Sequence, residues 1–143
     1  MLAGHLALIV AALFTGAAVY INAAEQPARL QLDDRALLTE WMPAYKRGTA
    51  MQAPLAIVGC LLGLIAWRQN GQWFWLIGAL LMIANWPWSL WAIMPTNNKL
   101  AAINPRDAGP GSRALIRKWG WLHGCRSLLG ALATISFLIA LDT

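Results

Sequence analysis

The residues of this chain best suited to chemistry are a histidine and an arginine inside a long apolar run. The run extends from about residue 120 to residue 140, which is long enough to cross a hydrocarbon core of roughly 30 Å. His123 and Arg126 lie in its first half. Neutral imidazole can remove a proton near pH 7, and a guanidinium can stabilise the oxyanion that results. A charge within a bilayer is costly, so Arg126 is expected to have a function or a partner.

Trp119, His123 and Arg126 are spaced four and then three residues apart. On a helix with 3.6 residues per turn, this spacing places all three side chains on one face. Two interpretations of that face remain open. It lines a reactive pocket, or Arg126 extends to the membrane surface while His123 donates a hydrogen bond to a neighbouring helix.

The composition is that of a membrane protein. Hydrophobic residues make up 59% of the 143 residues and charged residues only 12%, which is unlike an ordinary soluble domain. Four nearly uncharged runs, at about 2–22, 51–67, 73–94 and 119–140, each approach the length of a membrane span. Backbone polar groups in lipid must be satisfied within the segment, so these runs are expected to be helices. We predict an all-α, four-helix transmembrane bundle that forms a single domain over residues 1–143.

The basic residues are sorted between the two sides of the predicted bundle. The net charge is +5, but these residues are not clustered on a nucleic-acid-binding motif, so we expect no nucleic acid partner. Arg68 is the only Lys or Arg on the side that holds both termini, and nine lie on the other side. Because such residues favour the cytoplasm, we expect a bacterial inner-membrane protein with both termini outside and two long cytoplasmic connections. The nine residues are Arg29, Arg35, Lys46, Arg47, Lys99, Arg106, Arg113, Arg117 and Lys118.

The connection between the first two spans predicts a short amphipathic helix on the cytoplasmic surface. Asp33 and Asp34 have the side chains of a helix N-cap. The residues that follow place their apolar side chains on one helical face. This helix could cover the inner mouth of the bundle, or it could be an inert connector. The apolar face consists of Leu37, Leu38, Trp41, Met42 and Tyr45.

Prolines and tryptophans indicate where the helices bend and end. Pro27 is expected to interrupt or restart the first helix, Pro87 to kink the third, and Pro95 to end it. Trp73 and Trp75 are expected at the outer membrane interface, which amphipathic rings prefer.

Polar side chains near one end of the spans could interact with one another. Glu25 could pair with Arg29 or reach Arg126, and it could also be a solvated side chain without a role. Asn85 and Ser89, four residues apart, could hydrogen-bond across the bundle.

Small residues form continuous stripes on the second and fourth spans. Such stripes let helices approach closely, either within the bundle or between copies in a homo-oligomer. On the second span, the polar residue Gln52 leads into a stripe of Ala56, Gly59, Gly63 and Ala66, and the stripe on the fourth span consists of Gly120, Gly124, Ser127 and Ala131.

Three stretches together resemble the anthrone-oxygenase-like family of small four-helix integral membrane proteins. They are Asn22-Ala-Ala-Glu-Gln-Pro-Ala-Arg29, Pro95-Thr-Asn-Asn-Lys-Leu100 and Trp119-xxx-His123-xx-Arg126. The resemblance covers nearly the whole chain. Much of the family has no known function, but its fungal polyketide-tailoring members oxidise anthrones to anthraquinones with molecular oxygen.

The resemblance implies a set of site residues. Members of the family often have a histidine where this chain has Gln26, so one candidate base or metal ligand is missing here. The positions that match the family pattern are Asn22, Glu25, Arg29, Asn97, His123 and Arg126, with Trp119 beside them.

The first functional hypothesis is an oxygenase or oxidoreductase acting on a flat, lipophilic phenolic, anthrone-like or quinone-like molecule from the bilayer. His123 would be the base, Arg126 would stabilise the enolate oxygen, and Glu25 would assist. The cofactor is unknown, and none beyond oxygen is obligatory because such an anion can react with oxygen directly. Substrate-binding residues would be Asn22, Arg29 and Asn97, with Trp41, Trp88 and Trp119 as walls.

A metal or haem centre has less support, because His5 and His123 lie near opposite faces of the bilayer and no metal-binding motif supplies further ligands.

The second functional hypothesis is a non-catalytic module, either a partner subunit or a protein that binds lipid or a small molecule. In that case Glu25 would neutralise Arg126, and the polar cluster would hold the helix ends together.

Overall fold

Four long helices account for most of the chain in a computed structural model that describes residues 1–143. Each helix is long and apolar enough to cross a membrane, and there are no strands, which confirms the predicted all-α bundle. Helix α1 packs against α2 and α4, and α3 packs against the same two helices, so the four close around one interior. The helices are α1 (Leu2–Arg29), α2 (Asp34–Asn70), α3 (Trp73–Ala101) and α4 (Pro110–Asp142).

Helices α1 and α3 extend beyond the predicted spans because each continues through a proline. The predictions that Pro27 interrupts α1 and that Pro95 ends α3 are wrong. Proline lacks a backbone N–H, and its ring clashes with the carbonyl group four residues earlier. A wider π-helical turn precedes each of these prolines, at Ile21–Glu25 in α1 and at Ser89–Ile93 in α3. In both cases the proline is the second residue after the turn, where the added width gives the ring room.

Helix α2 begins at the predicted cap, because the Asp33 carboxylate accepts a hydrogen bond of 2.9 Å from the Ala36 N–H. The amphipathic segment is helical as expected, but it is not a separate helix. It continues without a break through Pro43 and Pro54 to the end of the second span. The buried residues of its apolar face are Leu37, Leu38 and Trp41.

The terminal half of the bundle, which holds both chain termini and the turn at residues 69–72, is closely packed. Trp75 and Phe137 are fully buried, with ring centroids 5.6 Å apart. The prediction that Trp75 lies at the membrane interface is therefore wrong. Gly4 makes room for its ring, since a Cβ atom there would lie 2.5 Å from the indole. Gly63 and Gly78 leave similar room for the Phe137 ring, so the glycine stripe of α2 is used within the bundle.

The loop half, which holds the two long connections, is joined by one arginine. Arg113 at the start of α4 donates a 2.8 Å hydrogen bond to the Leu30 carbonyl and another to the Leu32 carbonyl. It also forms an ion pair with Asp34. The connection between α1 and α2 is thereby attached to α4.

Candidate active site in the loop half

A cavity of about 190 Å³ lies in the loop half between α2, α3 and α4. Trp86 and Leu90 line it and are 38% and 52% exposed, so the cavity opens between α2 and α3 on the outer surface of the bundle. Its inner wall carries the histidine and the arginine of the predicted reactive face. The lining residues are Tyr45, Thr49, Ala53, Ala56, Asn85, Trp86, Ser89, Leu90, Ile93, Met94, Asn97, Trp119, His123 and Arg126.

His123 is held in one orientation by Asn22 on the π-helical turn of α1. The Asn22 amide nitrogen donates to the Gly120 carbonyl at 2.8 Å, which directs its Oδ1 toward α4. That oxygen lies 2.7 Å from His123 Nδ1 and also accepts from the Ser127 hydroxyl at 2.8 Å. Since Oδ1 can only accept, Nδ1 carries the proton and Nε2 of the neutral ring keeps its lone pair. His123 is 1% exposed, and its Nε2 has no partner within the chain.

Arg126 is a buried cation without a carboxylate partner. It is 8% exposed, and the three ion pairs of the chain involve only Arg29 and Arg113 among the arginines. Its guanidinium carbon lies 5.6 Å from the centroid of the Phe14 ring, and its Nε is buried without a hydrogen-bond partner. An unpaired cation at the wall of a cavity favours an anionic or electron-rich ligand.

Glu25 pairs with Arg29 and not with Arg126. Arg29 Nε also lies 3.0 Å from a carboxylate oxygen of Glu40, so two acids on α1 and α2 neutralise one arginine. The Glu25–Arg126 pair that the non-catalytic hypothesis requires is not formed. Glu25 and Arg29 line a crevice of about 10 Å³ that also borders His123 and Arg126, a space close to that of one water molecule.

The Trp119 ring packs against both Arg29 and His123. Its ring stacks on His123 with centroids 5.0 Å apart and planes 28° apart. The Arg29 guanidinium lies 5.5 Å from the Trp119 centroid on the same ring system. The Trp119 indole therefore contacts both the Glu25–Arg29 ion pair and His123, and it restricts the tilt of the imidazole ring.

The π-helical turn of α3 brings four residues of that helix to the same cavity. Asn85, Ser89, Ile93 and Asn97 are spaced four residues apart, and all four line the cavity. In a regular α-helix, with 100° of rotation per residue, this spacing would turn Asn97 about 120° away from Asn85. The wider turn at Ser89–Ile93 absorbs that rotation.

The structure brings some of the predicted site residues together and separates others. Asn22 lies behind His123, outside the cavity. Trp41 is fully buried, with its ring edge against Trp119, and does not reach the cavity. Trp88 donates its indole N–H to the Leu122 carbonyl at 2.9 Å and does not line the cavity either. The predicted residues that line the cavity are Asn97, Trp119, His123 and Arg126.

Sequence reasoning missed several residues of the site. Trp86 lines the cavity, whereas its neighbour Trp88 does not. Gln52 is 1% exposed, lines the crevice and has no partner for either amide atom. Its position among small apolar residues of a membrane span was the available signal. Asn85 does not bond across the bundle as predicted, because its amide nitrogen donates to carbonyl groups of its own helix.

Gln26, the departure from the family pattern, faces away from the cavity. Its amide nitrogen donates to the Ile116 carbonyl at 2.9 Å, and its side chain packs against Gly120.

No group of three or more His, Cys, Asp or Glu side chains in this chain could hold a metal ion. Both Cys60 and Cys125 are free thiols.

The fold and the site define a class: four helices of membrane-spanning length around a buried histidine–arginine cavity. The anthrone oxygenase family matches residues 41–136, more than half of the chain, and the chain belongs to this family. No solved structure matches the chain.

Two fungal anthrone oxygenases are similar to the chain. One, from Aspergillus novofumigatus (strain IBT 16806), is 29% identical over 106 residues, which cover 67% of this chain and 65% of the relative. The chain thus spans less than two thirds of that relative's length. The other, from Claviceps purpurea (strain 20.1), is 26% identical over 140 residues, which cover 87% of this chain and 80% of the relative. Because both relatives are fungal, the comparisons do not support the expected bacterial inner membrane.

Proposed function

We propose that this protein is a membrane-embedded oxygenase that oxidises a flat, lipophilic anthrone-like molecule to the corresponding quinone. One observation carries the proposal. The free Nε2 side of a neutral His123 and the unpaired cation of Arg126 belong to the same wall of a mainly apolar cavity. Membership in the anthrone oxygenase family supports the same reaction class.

The cavity suits a planar apolar ligand. Its volume of about 190 Å³ exceeds the roughly 150 Å³ of an engineered apolar cavity that binds benzene. Trp86 and Trp119 supply aromatic walls, and the opening between α2 and α3 would admit a ligand from the bilayer. A fused-ring molecule would enter edge first, with part of its surface still in contact with lipid.

The proposed reaction begins with the removal of a proton from a carbon atom of the substrate. His123 Nε2 removes one proton from the methylene carbon opposite the ketone, and the electron pair moves to the ketone oxygen as an enolate. Arg126 stabilises that oxyanion, which accounts for a cation without a protein partner. Asn22 holds the imidazolium that forms, because its Oδ1 already accepts from the protonated Nδ1.

Molecular oxygen is the oxidant in the remaining steps. The enolate transfers electrons to oxygen, and a carbon–oxygen bond forms at the former methylene carbon. His123 returns its proton to the terminal oxygen, which gives a hydroperoxide. Loss of the second proton from the same carbon breaks the oxygen–oxygen bond, so the carbon becomes a carbonyl and one water leaves.

The charge distribution supports an orientation for this reaction. Arg68 is the only basic residue between the spans at the terminal half, whereas nine lie at the loop half. Since basic loops favour the cytoplasm, the cavity would lie in the cytoplasmic half of the membrane, with both termini on the opposite side.

The decisive experiment compares two histidine variants in proteoliposomes. His123→Gln should lower oxygen consumption with anthrone about 10³-fold, because the base is lost, and should leave the thermal unfolding temperature nearly unchanged. His5→Gln is the matched control, because His5 is exposed near the N-terminus and should keep full activity. If the wild-type protein binds anthrone without consuming oxygen, the protein is a binding module and the proposed reaction is wrong.

A further inference from the structure

The cavity contains a polar side chain that the proposed reaction does not use. Asn85 on α3 is 1% exposed and lines the cavity wall. Its amide nitrogen donates to the carbonyl groups of Leu81 and Met82, at 3.3 Å and 3.2 Å. These two bonds occupy the amide nitrogen and leave Oδ1 for another partner. That oxygen is buried and has no hydrogen-bond partner in the chain.

A buried acceptor without a partner costs free energy unless a ligand satisfies it. An amide oxygen accepts hydrogen bonds and cannot donate them, so the group that satisfies it must be a donor. The Arg126 guanidinium offers only donors, so the ligand must present a hydrogen-bond acceptor to it. Asn97, twelve residues further along the same wall, also has a buried Oδ1 without a partner.

We infer that Asn85 is a specificity-determining residue that accepts a hydrogen bond from a hydroxyl group of the substrate. The inference rests on the proposed function, because it places the substrate in the same cavity. The ligand is then polar at two sites: its ketone oxygen faces Arg126, and a phenolic hydroxyl on an outer ring faces Asn85. Asn85 acts on recognition and takes no part in the proton or oxygen chemistry.

The test uses three ligands that share the anthrone ring system and differ in the substituent at one position. They are 3-hydroxyanthrone, 3-methoxyanthrone and unsubstituted anthrone. A hydroxyl at this position is too far from the ketone to bond to it internally, and the methyl ether keeps the oxygen without the proton. Wild-type protein should have a kcat/KM about tenfold higher for the hydroxyl compound than for the ether, since the ether leaves Oδ1 unpaired.

The variant Asn85→Leu has nearly the same shape but no acceptor. It should remove the tenfold preference for 3-hydroxyanthrone over 3-methoxyanthrone, because the acceptor is lost. This change in the ratio of the two kcat/KM values separates a role in recognition from a general loss of catalysis. Asn98→Leu is the matched control, because Asn98 lies on the same helix but is exposed and does not line the cavity.

Dissociation constants from quenching of tryptophan fluorescence keep the inference testable apart from turnover. If the wild-type protein oxidises none of the three compounds but binds the hydroxyl compound tightest, the proposed function fails and the role of Asn85 stands. Equal affinity and turnover for all three in the wild type overturn the role of Asn85 while the function stands. This comparison needs no variant, so it also decides the question if Asn85→Leu does not fold.

Discussion

The two halves of the bundle use buried space and polar atoms in different ways. In the terminal half, glycines face aromatic rings, and the buried Ser136 hydroxyl donates to the Phe74 carbonyl at 2.7 Å. In the loop half, His123 and Asn85 line an open cavity, and each has a buried side-chain atom without a hydrogen-bond partner. Trp75 Nε1 in the terminal half also lacks a hydrogen-bond partner, but its ring is packed against Phe137 and does not line the cavity. The contrast therefore assigns stability to the terminal half and ligand chemistry to the loop half.

The largest expected effect on stability comes from filling a glycine position in the terminal half. A Cβ at Gly78 would overlap the buried Phe137 ring, so Gly78→Val should lower the free energy of unfolding by about 3 kcal/mol. Thermal unfolding in detergent measures this effect. Gly16→Val is the control, because no side chain lies within 4 Å of that position. The free energy of unfolding of this variant should stay within about 0.5 kcal/mol of wild type. Equal destabilisation by both substitutions would contradict the close packing of the terminal half.

Arg126→Met should separate activity from stability in the loop half. We expect turnover of anthrone to fall about 100-fold, because the oxyanion loses its cation. We expect the unfolding temperature to stay the same or to rise, because a buried charge without a carboxylate partner is removed. Oxygen uptake and thermal unfolding measured on one preparation check both effects. A large loss of stability would favour a structural role for Arg126.

Asn22→Ala should have a smaller effect on activity. Without the amide oxygen, the imidazole can carry its proton on either nitrogen, and only part of the population has a free Nε2. Turnover should fall about tenfold, and added substrate should not restore it. We expect the substitution to lower kcat and to leave KM nearly constant. A raised KM with normal kcat would instead make Asn22 a substrate contact.

Gln26→His should have the smallest effect. The substitution introduces the histidine that the resemblance implies at this position, but this side chain lies against Gly120 and does not line the cavity. We expect kcat/KM for anthrone to stay within about twofold of wild type, measured by oxygen uptake. A large gain in turnover would extend the reactive region beyond the cavity and weaken the contrast between the halves.

Much of the architecture follows from local sequence signals. Charge-free runs predicted four spans, Asp33 predicted the start of α2, and the spacing of Trp119, His123 and Arg126 predicted one buried face. These predictions succeed because each depends on residues within a few helical turns.

The side chains that line the cavity were harder to predict. Whether Trp86 or Trp88 faces the interior depends on the rotation of α3 against its neighbours, which composition does not encode. Trp75 was placed at the interface because amphipathic rings prefer that position, and Gly4, which makes room for the buried ring, is distant in sequence. The second acid beside Arg29, Glu40, was not predicted, because it approaches Arg29 only after α1 and α2 pack together.

The repeated combination of a π-helical turn and a following proline has a consequence for how such a protein can change. Each wide turn contains one residue more than an α-helix of the same rise would need. Loss of a single codon, such as that for Ala92, would turn this stretch into a regular α-helix in which Asn97 follows Asn85 by eleven residues, so Asn97 would stay within about 20° of Asn85 on the cavity wall. The packed half would be untouched by that deletion. Related chains could therefore gain or lose such a turn by a single-residue insertion or deletion and keep the residues beyond it on the same face of the helix.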